Sequence, residues 1–128
     1  MHKHIMVVDD EMVMRSLVTI AMQRGGYSVI EMDNPYRALD YLERSTPDLI
    51  ILDMMMPGMS GVELCRRIRE RAATAMTPII MFSARDDKRH ISEALAAGAT
   101  NYMYKLKPSR ELLEMVHNEL VVQQYHVS

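Results

Sequence analysis

The sequence predicts an open α/β domain, a doubly wound, five-stranded parallel sheet with helices on both faces. Three observations predict it. Short apolar runs alternate with helical patterns five times along 128 residues. The clearest runs are continuously apolar rather than alternating, as strands buried on both faces require. The connections are short, which implies right-handed crossovers, and five units are too few to close an eight-stranded barrel.

Ile5 to Val8 is the first apolar run, cut off by Asp9 and Asp10. Met14, Leu17, Val18, Ala21 and Met22 follow at helical spacing, with Gly25 and Gly26 as the stop. Ser28 to Met32 reads as the second strand. Asn34 is then placed to cap a helix that carries Pro35 at its first position. Ala38, Leu39 and Leu42 mark that helix's apolar face, and Ser45 to Pro47 break it. Leu49 to Leu52 is the third strand and ends on Asp53. Pro57, Gly58 and Gly61 make the next segment a loop, after which Leu64, Cys65 and Ile68 face inward on a third helix. The fourth strand, Ile79 to Phe82, ends at Ser83. Ile91, Ala94 and Leu95 mark the fourth helix, stopped by Gly98. Asn101 to Tyr104 is the fifth strand, followed by Lys105, and Leu112, Leu113, Val116 and Leu120 give the closing helix.

Composition removes several classes of function. Lysine and arginine total 15 against 17 aspartates and glutamates, a net charge of −2, so a generally basic nucleic-acid binder is excluded and no direct nucleic-acid partner is expected. The single cysteine, Cys65, rules out an intrachain disulfide and a cysteine zinc cluster, and fits a reducing, cytoplasmic setting. No apolar run approaches the roughly 18 residues of a membrane span. The run at Ile5 ends too soon, at two aspartates, for a signal peptide. The 14 methionines read mainly as core fillers in place of leucine. His2 and His4 lack a third ligand nearby and read as a solvated chain end. One soluble domain over residues 1–128 is expected, with no membrane partner.

Open parallel sheets bind ligands beyond the carboxyl ends of their strands. Asp9, Asp10, Asp53, Ser83 and Lys105 all stand at such ends. Three crowded carboxylates repel one another unless a cation neutralises them. An all-oxygen cluster suits a hard ion, and Mg²⁺ in particular retains sites for phosphate oxygens. A lysine supplies a point charge and a serine a donor, completing a phosphoryl pocket. Rival chemistries lack their parts. No glycine-rich loop follows the first strand. Gly58 to Gly61 follows a loop and not a strand, unlike a nucleophile elbow. Cys65 lies on an apolar helix face, where a structural thiol is the reading.

The segments Val7-Val8-Asp9-Asp10-Glu11, Leu52-Asp53 through Pro57-Gly58-Met59-Ser60-Gly61, Ser83-Ala84, and Gly98-Ala99 to Lys105 together resemble the receiver domain of two-component response regulators. The intervals between Asp10, Asp53, Ser83 and Lys105 are similar to the family's. The resemblance implies a flavodoxin-like sheet of order 2-1-3-4-5. It implies that Asp53 accepts a phosphoryl group from the phosphohistidine of a sensor histidine kinase. Asp9, Asp10, Asp53 and the backbone carbonyl of Met55 would then hold Mg²⁺. Ser83 would donate to the aspartyl phosphate, Lys105 would pair with a phosphate oxygen, and Tyr102 would be an aromatic switch that turns inward as Ser83 moves. Met55 and Arg85 would border the path of an attacking water. Neither offers the acceptor that orients such a water, so slow autodephosphorylation is expected. Signal would leave to a downstream effector through the fourth helix, fifth strand and fifth helix, from a monomer or a phosphorylation-dependent dimer, with no output domain attached.

One departure from the family pattern concerns the lysine. Leu106 follows Lys105 where the family has proline, and a Lys-Pro pair comes later as Lys107-Pro108. A shifted register would make Lys107 the lysine and Tyr104 the switch. The intervals from Ser83 and Gly98 favour Lys105, because they need no insertion. Two rival functions remain for comparison. A phosphate-independent pseudo-receiver would lack one of the acidic pair, the acceptor or the lysine. A haloacid-dehalogenase-type phosphatase needs an Asp-x-Asp loop after the first strand and a cap insertion.

Overall fold

The computed structural model describes residues 2–107 and 109–126, with side chains through Gln124. Pro108, second in the displaced Lys-Pro pair, lies outside the described residues. The elements run β1 (His4–Val8), α1 (Met12–Arg24), β2 (Ser28–Met32), α2 (Pro35–Leu42), β3 (Leu49–Asp53), α3 (Gly61–Glu70), β4 (Ile79–Ser83), α4 (Lys88–Ala96), β5 (Asn101–Tyr104) and α5 (Ser109–His126). A 3-10 turn at Ala72–Thr74, not expected from the sequence, follows α3. The sheet has the order β2-β1-β3-β4-β5, and every pair in it is parallel.

Strand side chains alternate between faces, and two separate cores result. Met6, Val8, Ile50, Leu52, Ile79 and Met81 pack with Ala38, Leu64, Cys65, Ile68 and Ala94 from α2, α3 and α4. Ile5, Val7, Ile51, Ile80 and Phe82 pack on the other face with Val18 and Met22 of α1 and Leu112 and Val116 of α5. Three helix starts carry the capping chemistry that fixes strand exits. Asn34 accepts from the Arg37 N–H at 2.9 Å, Ser60 from Glu63 at 3.2 Å, and Asp87 from His90 at 3.4 Å.

Two leucines of the helical patterns stand outside the cores. Leu17 is 56% exposed and Leu95 is 47% exposed. On α1 the buried stripe runs through Val18 and Met22, one residue further round the helix, so Leu17 is turned out toward solvent. On α4 only Ala94 is buried. Seven methionines are buried, which bears out their reading as core fillers, whereas Met12, Met55 and Met76 are exposed.

Candidate phosphoryl site at the carboxyl edge of the sheet

Parallel pairing sets the strand ends side by side. β1 and β3 pair through Val8 and Leu52, so Asp9 and Asp53 leave the sheet as neighbours. Asp9 is buried and fixed by its own surroundings. Its carboxylate accepts from the Glu11 N–H at 2.9 Å, and its carbonyl accepts from Arg15 Nη1 at 2.8 Å. Asp53 is also buried, while Asp10 is exposed. The three carboxylates offer oxygen atoms within 4.8 Å of one another.

Lys105 reaches into this cluster from the end of β5. Its Nζ lies 3.1 Å from Asp9 Oδ2 and 3.1 Å from Asp53 Oδ1. Backbone geometry aims it there, because the Lys105 N–H donates to the Ser83 carbonyl at 2.7 Å and extends the β4–β5 register by one residue. Lys107 instead lines a groove between α1 and α5, and the Lys105–Leu106 peptide is trans, as are all those described. Lys105 is therefore the lysine that meets the carboxylates.

Ser83 is fully buried beside them. Its Oγ accepts from the Arg85 N–H at 3.1 Å and lies 3.8 Å from the Met54 sulfur. The Tyr102 hydroxyl lies 4.0 Å from the same sulfur and donates to the Arg85 carbonyl. Met54 thus borders both Ser83 and Tyr102, a position hidden in the sequence because three methionines in a row look alike. Met55 is exposed, and its N–H lies 3.4 Å from Asp53 Oδ1. The Arg85 side chain is exposed as well.

Burial pushes the Asp53 carboxyl from its ordinary value near 3.8 up to about 6, with the Asp9 charge adding to the shift. Lys105 and the Met55 N–H oppose it without cancelling it. For Lys105, burial works against the charge, but Asp53 and Asp9 outweigh burial and raise its pKa. The raised Asp53 value has a consequence for stability. The folded state binds this proton more tightly than the unfolded chain does, so ionising Asp53 weakens the fold as pH rises from about 4 to about 6. In buffer without divalent ions, Asp53→Asn is expected to exceed the parent in stability by about 1–2 kcal/mol above pH 6. The gap should close below about pH 4. Urea unfolding across this range checks it, and a gap that does not vary with pH would contradict it.

Residues 5–117 match the family described as response regulator receiver domain. The phosphate regulon transcriptional regulatory protein PhoB of Pseudomonas aeruginosa is 38% identical over 87% of this chain and 48% of its own length. The alkaline phosphatase synthesis transcriptional regulatory protein PhoP of Bacillus subtilis is 38% identical over 88% of this chain and 46% of its own. The chain thus spans about half the length of these curated relatives. The chemotaxis response regulator CheY4 of Vibrio cholerae superposes with a TM-score of 0.88 at 28% identity, covering 93% of this chain and 99% of that one. No described helix is long and apolar enough to cross a membrane. With the sheet order, the strand-end carboxylates and the match over nearly its whole length in agreement, the chain belongs to the response regulator receiver domains.

Proposed function

We propose that Asp53 is the phosphoacceptor of a two-component relay, and that the phosphorylated domain controls a downstream partner. The observation that carries this reading is the lysine ammonium held 3.1 Å from both Asp9 and Asp53 at the strand ends. A carboxylate oxygen of Asp53 attacks phosphorus, the bond to the donor's histidine nitrogen breaks, and that nitrogen leaves with the electron pair. Phosphoryl transfer of this kind depends on positioning and charge neutralisation.

The donor set fits a hard divalent ion, since Asp9, Asp10 and Asp53 present only oxygens and sit close enough to share one. Mg²⁺, held by these three and the Met55 carbonyl, would neutralise the charge that gathers on the phosphoryl oxygens. Lys105 is placed to pair with one such oxygen. Ser83 has a hydroxyl proton to donate to another, and it shares the neighbour Met54 with Tyr102. Tyr102 lies on the surface of α4, β5 and α5, the face assigned to the effector. The kinase, the effector, dimerisation and a cytoplasmic setting belong to this same reading.

Acetyl phosphate with Mg²⁺, read by intact mass, tests it. One phosphoryl group per chain is expected in the parent and none in Asp53→Asn. Unchanged labelling of that variant would overturn the assignment, and sustained turnover of a small phosphomonoester would favour a phosphatase. Loss of the label should be slow in the parent and faster in a Met55→Asn, Arg85→Glu double variant, which supplies the missing acceptors.

A further inference from the structure

A groove of about 480 Å³ runs between α1 and α5, within the size range of small-molecule sites. Leu17, Ile20, Ala21 and Leu113 give it apolar walls, with Phe82 of β4 also lining it. Leu17 and Ile20 are 56% and 46% exposed, so this apolar surface is left uncovered by the fold. Arg24, Lys105, Lys107 and Arg110 also line the groove, and no acidic side chain does. Lys105 is engaged by the carboxylates, but Arg24, Lys107 and Arg110 form no ion pair among the described residues. Ser109 and Arg110 open α5, whose first turn also carries Glu111, a residue that does not line the groove.

An apolar bed with a wholly cationic rim, on a chain of net charge −2, selects for one ligand chemistry. A neutral apolar molecule would leave the cations unanswered, and a cation would be repelled by them. We propose that the α1–α5 groove binds a free, single-chain anionic amphiphile. Its apolar body lies against Leu17, Ile20 and Leu113, and its carboxylate-type head lies beside Lys107 and Arg110. This site adjoins the phosphoryl site, with which it shares Lys105, and its test does not depend on phosphorylation.

Decanoate, below the concentration at which it self-associates, is the probe, titrated into the full chain and followed by amide NMR. Decyltrimethylammonium and decanol serve as cationic and neutral partners of equal chain length. Saturable decanoate binding is expected, with shifts gathered in residues 14–24 and 105–116 and affinity about tenfold above either partner. Lys107→Glu with Arg110→Glu should abolish that preference, since both side chains are exposed and the substitutions leave the cores intact. Ala21→Phe, which fills the groove without altering charge, should block binding. Equal affinity for all three probes, indifference to charge reversal, or shifts centred elsewhere would overturn the proposal. So would binding only to phosphatidylglycerol vesicles, which would make the patch a lipid-surface contact.

Discussion

An Arg69→Met protein is expected to lose about 3 kcal/mol of unfolding free energy. Arg69 leaves the last turn of α3 and ties together segments far apart in the chain. Its Nε donates to the Gly98 carbonyl at 2.8 Å, and Nη1 donates to the carbonyls of Thr74 at 2.9 Å and Thr77 at 2.6 Å. Nη2 reaches Thr100 Oγ1 at 3.1 Å, which also accepts from the Ile79 N–H at 3.0 Å. One planar group therefore joins the end of α3, the 3-10 turn, the entry to β4 and the entry to β5. Methionine keeps most of the stem but strands those acceptors, several of them partly buried. Lysine should recover only part of the loss, because an ammonium is a point charge and not a fork. All these contacts lie at the amino edge of the sheet, away from Asp53. Phosphorylation of the folded variant should accordingly proceed at the parental rate. Urea denaturation measures the change, and a loss below about 1 kcal/mol would contradict the clamp.

The second large effect is expected at Gly61, where α3 begins directly under Asp53. A Cβ there would stand 2.1 Å from the Asp53 carbonyl oxygen and 2.9 Å from Met54 Cα. Both neighbours are backbone, so no side chain can swing aside. The Gly61 N–H also donates to the Met54 carbonyl at 2.9 Å, which locks the two segments at this spacing. Gly61→Ala therefore forces the exit of β3 to move and carries Asp53 with it. Displacements near 1 Å at a reacting group cost about a hundredfold in rate, so labelling by acetyl phosphate should slow by at least a factor approaching that. Stability should fall by about 2–4 kcal/mol. Ser60→Ala is the control. It removes only the helix cap, costs about 1 kcal/mol and leaves Asp53 where it is. Parental labelling by Gly61→Ala would show that the contact is not a constraint.

Strand ends were readable because each apolar run stops on a polar residue, and the parallel fold brings those stops to one edge. Asp9, Asp53, Ser83 and Lys105 follow from that rule together with the family resemblance. The choice between Lys105 and Lys107 rested on spacing alone, whereas in the fold it is decided by the hydrogen bond from the Lys105 N–H to Ser83. Arg69 was not readable. In sequence it is one more charge beside Arg66, Arg67 and Glu70, and Gly98 and Thr100 stand 29 and 31 residues away. Which of Leu17 and Val18 is buried was not readable, because both are apolar. The rotation that buries one of them is set by packing against the sheet and α5, and the helical period alone leaves it open.

The thioether of Met54 gives the site a mechanical character that a hydroxyl or amide would not. Its sulfur lies 3.8 Å from the Ser83 hydroxyl and 4.0 Å from that of Tyr102, and the residue is 2% exposed. Sulfur is a weak acceptor, so a hydroxyl that leaves it forfeits far less than one that leaves an oxygen. An unbranched side chain with three rotatable bonds also yields to a neighbour without opening a void. Met54 is thus a yielding neighbour to both hydroxyls and not an anchor for either. What holds the two hydroxyls is then Arg85, whose carbonyl accepts from Tyr102 and whose N–H donates to Ser83.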